Sequence, residues 1–142
     1  MNIDAAMLDS AARVSLGSRD PSTKVGAVLT RDGLIEALGF NDLPQNTLRS
    51  PDILLNRVRK YARTVHAEAN VILIGRNFCW EGTLYSTHPP CSNCAGLIIN
   101  SGITRVVLPV GLPGYDPVYH ESWQWEESKL MFEEARVTLD FA

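Results

Sequence analysis

Two short motifs, each predicted to begin a helix, constrain the fold of this chain more than any other feature. His66-Ala67-Glu68 precedes a helical apolar pattern that ends near residue 75, and Cys91 and Cys94 open a second helix that ends near residue 102. A short β-rich run over residues 83–87 separates the two motifs. The chain therefore has to place two helix N-termini close together at one edge of a sheet.

The remaining elements are predicted from hydrophobic periodicity and turn residues. Acidic and apolar residues at helical spacing predict a helix over residues 2–16, and a hairpin through Arg31-Asp32-Gly33 follows it. The other predictions are strands over 24–30, 34–40, 83–87, 104–109 and 136–141, helices within 53–64 and over 65–75, 91–100 and 126–135, and loops over 41–52 and 109–123.

This order of elements predicts an α/β fold. After the opening hairpin, helices and strands alternate, which favours a five-stranded mixed sheet with helices packed on both faces, a three-layer α/β/α architecture. A chain of 142 residues with 45% hydrophobic residues is long enough to bury one continuous core. We therefore expect residues 1–142 to form a single domain.

Charge and hydropathy limit the partners and the location of the protein. The formal net charge is −3, and the basic residues are scattered among acidic ones, so no broad basic surface is available to bind nucleic acid. Asp4, Asp9 and Arg13 interrupt the apolar residues of the N-terminus, and no segment approaches the roughly 18 apolar residues of a membrane span. We expect a cytoplasmic protein without nucleic-acid or membrane partners.

The two motifs together carry the ligands of a catalytic zinc site. Imidazole and thiolate bind zinc strongly, and a catalytic site usually has three protein ligands and a fourth position open to water. His66, Cys91 and Cys94 supply the three ligands, so we expect one Zn²⁺ ion per chain. Glu68 stands too close to His66 in a regular helix to ligate the same ion, but it can reach the water. Glu68 is therefore the predicted proton shuttle, in a pattern typical of zinc-dependent nucleobase deaminases.

Each half of this pattern has a simpler explanation when it is taken alone. A Cys-x-x-Cys pair can be redox-active or simply buried, and a His-x-Glu at a helix start is often a cap or a surface pair. A structural zinc site in a noncatalytic module is a further alternative. It would need a fourth ligand, for which Cys79, His88 and His120 are the candidates, although none belongs to a second ligand pair.

Over nearly its whole length the chain resembles the cytidine and deoxycytidylate deaminases, most closely the deoxycytidylate (dCMP) branch. The matching stretches are residues 19–27, 39–41, 64–70, 84–87, 90–95 and 98–103. The resemblance implies hydrolytic deamination of dCMP to dUMP, a small nucleotide substrate, and a homo-oligomer, commonly a hexamer. It places Asn41 beside the sugar and pyrimidine of the substrate. The substrate-binding residues that it implies are Asn41, Lys24, Val25, Ala67, Ser86 and Pro90.

Several substrates stay open at this stage. Another cytosine nucleotide or nucleoside, such as CMP, dCTP, deoxycytidine or a 5-modified dCMP, would need the same chemistry. Deaminases of adenosine in transfer RNA or of guanine usually follow the first cysteine with Pro-Met, whereas this chain has Ser92 and Asn93.

Asp42 stands where regulated relatives carry glycine, and its carboxylate disfavours a triphosphate effector. The candidates for binding a substrate phosphate are Ser22, Thr23, Lys24, Arg57, Arg59, Lys60 and Arg63, although the basic cluster over 57–63 is typical of a solvated helix face.

Overall fold

Five strands and the helices around them make up the described part of the protein. The structure is a computed structural model that describes residues 2–111 and 122–142, with the side chains at 122 and 123 excepted. Most of the predicted loop over 109–123, including His120, lies outside these residues. The elements are α1 (Ile3–Ser15), β1 (Gly26–Arg31), β2 (Leu34–Phe40), α2 (Pro51–Leu54), α3 (Arg57–Arg63), α4 (Ala67–Gly75), a 3₁₀ turn (Arg76–Cys79), β3 (Thr83–Ser86), α5 (Ser92–Asn100), β4 (Arg105–Leu108), α6 (Ser122–Glu134) and β5 (Thr138–Phe141).

The strands form one mixed sheet in the order β2-β1-β3-β4-β5. The hairpin partners β1 and β2 are antiparallel, β1 also pairs antiparallel with β3, and β3, β4 and β5 run parallel. Helix α5 connects β3 to β4, as a parallel pair requires. The predicted five-stranded mixed sheet is confirmed.

Helices cover both faces of this sheet. Leu8 and Ala11 of α1 pack with Val28, Tyr85 and Val107 on one face. On the other face α4, α5 and α6 pack over the alternate strand residues, and this larger core cluster includes Leu29, Val71, Leu84, Ile98, Val106 and Phe132. The three-layer α/β/α architecture is therefore confirmed. None of the described helices is long and apolar enough to cross a membrane.

Close helix-to-strand packing depends on glycines at two positions. A Cβ atom on Gly26 would lie 1.9 Å from the carbonyl oxygen of Ala11, and one on Gly39 would lie 2.7 Å from a methyl group of Val71. Glycine at these positions lets α1 approach β1 and lets α4 approach β2. The approach of α4 to β2 matters for function because α4 begins at the His66 motif.

The predicted elements exist, but several of their ends differ. Strand β1 begins at Gly26 instead of residue 24, because the amide of Val25 donates to the side chain of Asn41 and not to a neighbouring strand. The helix predicted within 53–64 is two helices, and Asn56 caps the second with its side chain. Helix α6 begins at residue 122, four residues before the predicted start at 126.

Candidate zinc centre and substrate cavity

The three predicted zinc ligands lie together. The Nδ1 atom of His66 is 3.5 Å from the Sγ atom of Cys91 and 3.4 Å from that of Cys94, and the ligand atoms all lie within 4.8 Å of one another. Tetrahedral zinc, with bonds of about 2.3 Å to sulfur and about 2.0 Å to nitrogen, separates sulfur from nitrogen by about 3.5 Å. The donor set and its spacing therefore fit a zinc ion.

Both motifs use the N-cap position of a helix to present a ligand. His66 is the N-cap of α4 and Cys91 is the N-cap of α5, both with extended backbone, and neither side chain caps its own helix. An N-cap is usually Ser, Thr, Asp or Asn, which bonds the first turn with its side chain. Histidine and cysteine at these caps are instead directed to each other, and Cys94 joins them from the first turn of α5.

A backbone bridge holds the His66 motif beside the end of β2. The amide of Val65 donates to the carbonyl of Asp42 at 2.8 Å, and the amide of Asp42 donates to the carbonyl of Val65 at 3.1 Å. The residue that follows this bridge is His66, and the residue that precedes it on the other side is Asn41. The bridge therefore brings two distant parts of the sequence, each with a predicted site residue, to one place.

The ligands open onto a cavity of about 360 Å³. His66 is exposed on the cavity side, Cys91 is half-buried and Cys94 is buried. The residues that line the cavity are Asp20, Thr23, Val25, Asn41, Tyr61, Thr64, His66, Ala67, Glu68, His88, Pro89, Pro90, Cys91, Asn93, Gln124 and Trp125. The volume is within the range of small-molecule binding sites.

Glu68 is the buried carboxyl group of this cavity. Its exposure is 3%, and its Oε1 atom accepts a hydrogen bond from the hydroxyl of Ser86 at 3.1 Å. Burial raises the pKa of Glu68 above its ordinary value, while the charge of His66 and the hydrogen bond from Ser86 act in the opposite direction. A carboxyl group with a raised pKa, next to a metal-ligand cluster, is suited to accept and return a proton.

The two thiols titrate as a pair. The hydrogen bond between them lowers the pKa of Cys91 and raises the pKa of Cys94, because one negative sulfur beside another is unfavourable. The hydrogen bond to Cys91 raises the pKa of His66. Cys91 is therefore the first of the two thiols to lose its proton. It lies at the start of α5, where the helix dipole also stabilises a thiolate.

Asn41 is fixed by hydrogen bonds at both ends of its amide. Its Oδ1 atom accepts from the amide of Val25 at 2.8 Å, and its Nδ2 atom donates to the carbonyl of Thr23 at 2.9 Å. Asn41 has only 6% exposure and is one of the residues that line the cavity. The turn before β1 and the end of β2 thus form one rigid wall.

The structure brings most, but not all, of the predicted substrate-binding residues to the cavity. Asn41, Val25, Ala67 and Pro90 line it. Lys24 is exposed and donates from its ammonium group to the carbonyl of Ser18, and it is not a lining residue. Ser86 lies behind Glu68 and is fully buried.

Sequence reasoning missed several lining residues. Tyr61 and Thr64 come just before the His66 motif, and His88 comes three residues before Cys91, so closeness to the two motifs is the signal that would have found them. Gln124 comes from the first turn of α6, and no motif in the sequence marks it. Trp125 has 8% exposure and belongs to the core as well as to the cavity wall.

The fold and the ligand set together define a zinc-binding α/β protein whose metal centre opens onto a small-molecule cavity. Residues 1–110 match the family described as the cytidine and deoxycytidylate deaminase zinc-binding region. The chain belongs to the cytidine and deoxycytidylate deaminase family.

Individual relatives agree with this assignment. The chain is 42% identical over 92 residues to a deaminase of Aliivibrio fischeri described as uncharacterized, a match that covers 65% of this chain and 62% of that protein. It is 32% identical over 130 residues to the deoxycytidylate deaminase of Mus musculus, a match that covers 85% of this chain and 68% of that protein. The chain thus spans about two thirds or less of the length of these curated relatives.

Solved structures show the same fold. The dCMP deaminase of the cyanophage S-TIM5, solved in complex with dCMP and dUMP, aligns with a TM-score of 0.72 at 20% identity. The alignment covers 100% of this chain and 99% of that chain. This likeness confirms the cytidine-deaminase-like fold that the sequence predicts.

Proposed function

We propose that the protein is a zinc-dependent hydrolase that deaminates dCMP to dUMP. The observation that carries the proposal is the convergence of the buried carboxyl group of Glu68 with His66 and Cys91 on one cavity of nucleoside-compatible size. The choice of dCMP is supported by the names of the relatives, several of which are deoxycytidylate deaminases, and by the dCMP-bound structure of the phage enzyme.

The chemistry follows from the residues around the cavity. His66, Cys91 and Cys94 would hold the zinc ion, which when bound supplies Lewis-acid activation of water near neutral pH. Glu68 would take a proton from the attacking water and give it to N3 of the cytosine ring as the oxygen adds to C4. It would then take the remaining proton of the added hydroxyl group and deliver it to the amine as the C4–N bond breaks, so that dCMP and water become dUMP and ammonia. Burial of Glu68 keeps bulk water from competing for that proton.

Four side chains are proposed to hold the substrate. Val25 and Ala67 provide apolar surface for the base, Asn41 offers its remaining amide capacity to the sugar or the base, and Pro90 shapes the edge beside Cys91. The resemblance also assigns Lys24 and Ser86 to substrate binding. Their places in the fold support this less directly, because neither belongs to the cavity lining.

A cytosine nucleoside such as deoxycytidine is the second candidate substrate. Among the lining residues that the structure describes, none is a lysine or an arginine, and the carboxylate of Asp20 is already paired with Lys60. A phosphate group is usually bound by arginine, lysine or a helix N-terminus. The lack of a lysine or an arginine among these residues favours an uncharged substrate, whereas the names of the relatives and the N-termini of α4 and α5 at the cavity favour the monophosphate.

A substrate panel decides between these candidates. The purified zinc-loaded protein is assayed by ammonia release with dCMP, CMP, deoxycytidine, dCTP and 5-methyl-dCMP, and with adenosine and guanine as purine controls. The proposal expects the highest kcat/KM for dCMP. A higher kcat/KM for deoxycytidine would move the assignment to the nucleoside, and activity on guanine alone would exclude cytosine chemistry.

Assembly and location complete the proposal. We propose that residues 1–142 act as one domain in a cytoplasmic homo-oligomer, with a hexamer as the form that the family resemblance favours. Large apolar side chains on α4 and the turn after it support association, since Leu73, Phe78 and Trp80 are exposed by 68%, 50% and 63%. Analytical ultracentrifugation gives the number of subunits, and a monomer at micromolar concentration would contradict this part.

A further inference from the structure

Ser86 occupies a position in the sheet where an apolar side chain would be expected. It is the last residue of β3, a central strand, and pairs with Ala27 of β1. Side chains alternate between the two faces of a strand, so Ser86 faces the same side as Leu84, whose neighbours belong to the larger apolar core cluster. Ser86 nevertheless has 0% exposure. A fully buried hydroxyl on an apolar face needs a polar partner.

That partner is the carboxyl group of Glu68. The Oγ atom of Ser86 lies 3.1 Å from Oε1 of Glu68 and 3.0 Å from the carbonyl oxygen of His88. The amide of His88 approaches the same Oγ atom at 3.4 Å. One hydroxyl therefore connects the carboxyl group to the turn that leads to Cys91.

We propose that Ser86 is a positioning residue, which holds the carboxyl group of Glu68 in the orientation needed for proton transfer without touching the substrate itself. This inference rests on the proposed function of Glu68. It differs from the substrate-contacting role that the resemblance implies for Ser86, because Glu68 lines the cavity and Ser86 lies behind it.

The geometry suits a positioning role. A serine hydroxyl has one proton to donate, and here it has two acceptors within reach, Oε1 of Glu68 and the carbonyl oxygen of His88. A carboxylate accepts the stronger bond, so the hydroxyl donates to Glu68. Since Ser86 is fully buried in a central strand, this bond fixes one oxygen of the carboxyl group relative to the sheet.

The test compares Ser86→Ala with wild type in steady-state kinetics on the best substrate of the panel. Loss of a hydrogen bond to a charged group predicts a decrease in kcat of about 10- to 100-fold. KM is expected to change by less than about twofold, because no substrate contact is removed. Ser86→Thr keeps a hydroxyl on the same carbon and is expected to recover most of kcat. Unchanged kcat in Ser86→Ala, or a raised KM with unchanged kcat, would overturn the proposal.

Ser128→Ala is the matched control. Ser128 is also a fully buried serine, and its hydroxyl has two carbonyl acceptors within reach, that of Pro90 at 2.9 Å and that of Gln124 at 2.8 Å, but no carboxyl group. The kcat of Ser128→Ala is expected to stay within about threefold of the wild-type value. An equal loss in both variants would show a general effect of removing buried hydroxyls and would reject a specific role for Ser86.

A structural readout separates this inference from the proposed function. A crystal structure of Ser86→Ala is expected to show the carboxyl group of Glu68 rotated or in two conformers, with zinc content as in wild type. An unmoved, fully ordered Glu68 would overturn the inference whatever the activity is. Inactivity of the wild-type protein on every cytosine compound would instead reject the proposed function.

Discussion

The ammonium group of Lys60 lies 2.9 Å from the Oδ1 atom of Asp20, and the two side chains are only 4% and 7% exposed. The same Oδ1 atom accepts hydrogen bonds from the backbone amides of Ser22 and Thr23, at 2.8 and 3.1 Å. Thr23 in turn accepts a hydrogen bond from the amide of Asn41. The ion pair therefore ties α3 to the segment that forms one wall of the cavity.

Removal of this buried cation is expected to be costly. Lys60→Met leaves the carboxylate of Asp20 buried without its charged partner, and such a change typically lowers the free energy of unfolding by about 3–5 kcal/mol. The double variant Lys60→Met/Asp20→Asn removes both charges and is expected to recover part of this loss. Urea denaturation of the zinc-loaded proteins measures both values.

The control for this prediction is an exposed ion pair. Arg13 and Asp9 on α1 are 78% and 63% exposed, so Arg13→Met is expected to change the free energy of unfolding by no more than about 0.5 kcal/mol. If Lys60→Met and Arg13→Met had equal effects, the buried pair would not stabilise the cavity wall.

Low pH is expected to weaken the ion pair between Asp4 and Arg105, which attaches α1 to β4. The Nη1 and Nη2 atoms of Arg105 donate hydrogen bonds to the Asp4 carboxylate, at 2.9 and 2.7 Å. The hydroxyl of Tyr85 also donates to it. The bond from Arg105 lowers the pKa of Asp4, partial burial raises it, and Tyr85 lowers it further, with a net decrease. A carboxyl group with a lowered pKa in the folded state stabilises the fold above its ordinary pKa of about 3.9. That stabilisation is lost as the pH falls through the folded-state pKa.

Arg105→Gln makes this pH dependence measurable. The variant is expected to be less stable than wild type by about 1–2 kcal/mol at pH 7 and at pH 5, and the difference is expected to shrink below about pH 4. Both proteins carry the same zinc ligands, so release of metal in acid cancels in the difference. Lys129→Gln, which breaks the exposed pair with Glu126, serves as control. A difference that stays constant down to pH 2.5 would contradict the assignment.

Glu68→Gln tests the proton shuttle. The amide keeps the size of the side chain and can still accept a hydrogen bond from Ser86, but it cannot take up the proton. We expect kcat to fall by about 10²- to 10⁴-fold, with the zinc content unchanged. Metal analysis beside the activity assay provides both values, with the exposed Glu134→Gln as control. Activity retained in Glu68→Gln would favour the alternative of a noncatalytic zinc module or another proton donor.

The local parts of the site could be predicted from the sequence. His66, Cys91 and Cys94 lie at helix starts, where the local backbone directs the side chains, and the alternation of elements fixes which helix starts meet at one sheet edge. The five-stranded mixed sheet could be predicted for a similar reason, since each strand has its own β-rich run bounded by turn residues.

The long-range polar contacts could not be predicted. The basic cluster over 57–63 was expected to be a solvated face, yet Lys60 is 3% exposed because its partner, Asp20, stands 40 residues earlier in the chain. Ser86 and Glu68 are a further example, since a serine at the end of a strand gives no sign of the carboxyl group it will meet. Helical periodicity also predicts the start of α6 too late, so it leaves Gln124 outside the helix that brings it to the cavity.

Metal removal distinguishes the ligand cysteines from the third cysteine. Cys91→Ala removes one of the three ligand atoms, so we expect less than about one tenth of the zinc of wild type and a decrease in thermal stability, because bound metal stabilises only the folded state. Cys79 is the last residue of the 3₁₀ turn after α4, burial raises the pKa of its thiol, and it lies outside the ligand cluster. Cys79→Ala is therefore expected to keep one zinc ion per chain and to lose only packing energy.

Treatment of wild type with a chelator should abolish activity and lower its Tm to that of Cys91→Ala, and added zinc should restore both. If Cys79→Ala lost zinc as Cys91→Ala does, the metal would need a fourth protein ligand, and a structural site would replace the open catalytic one.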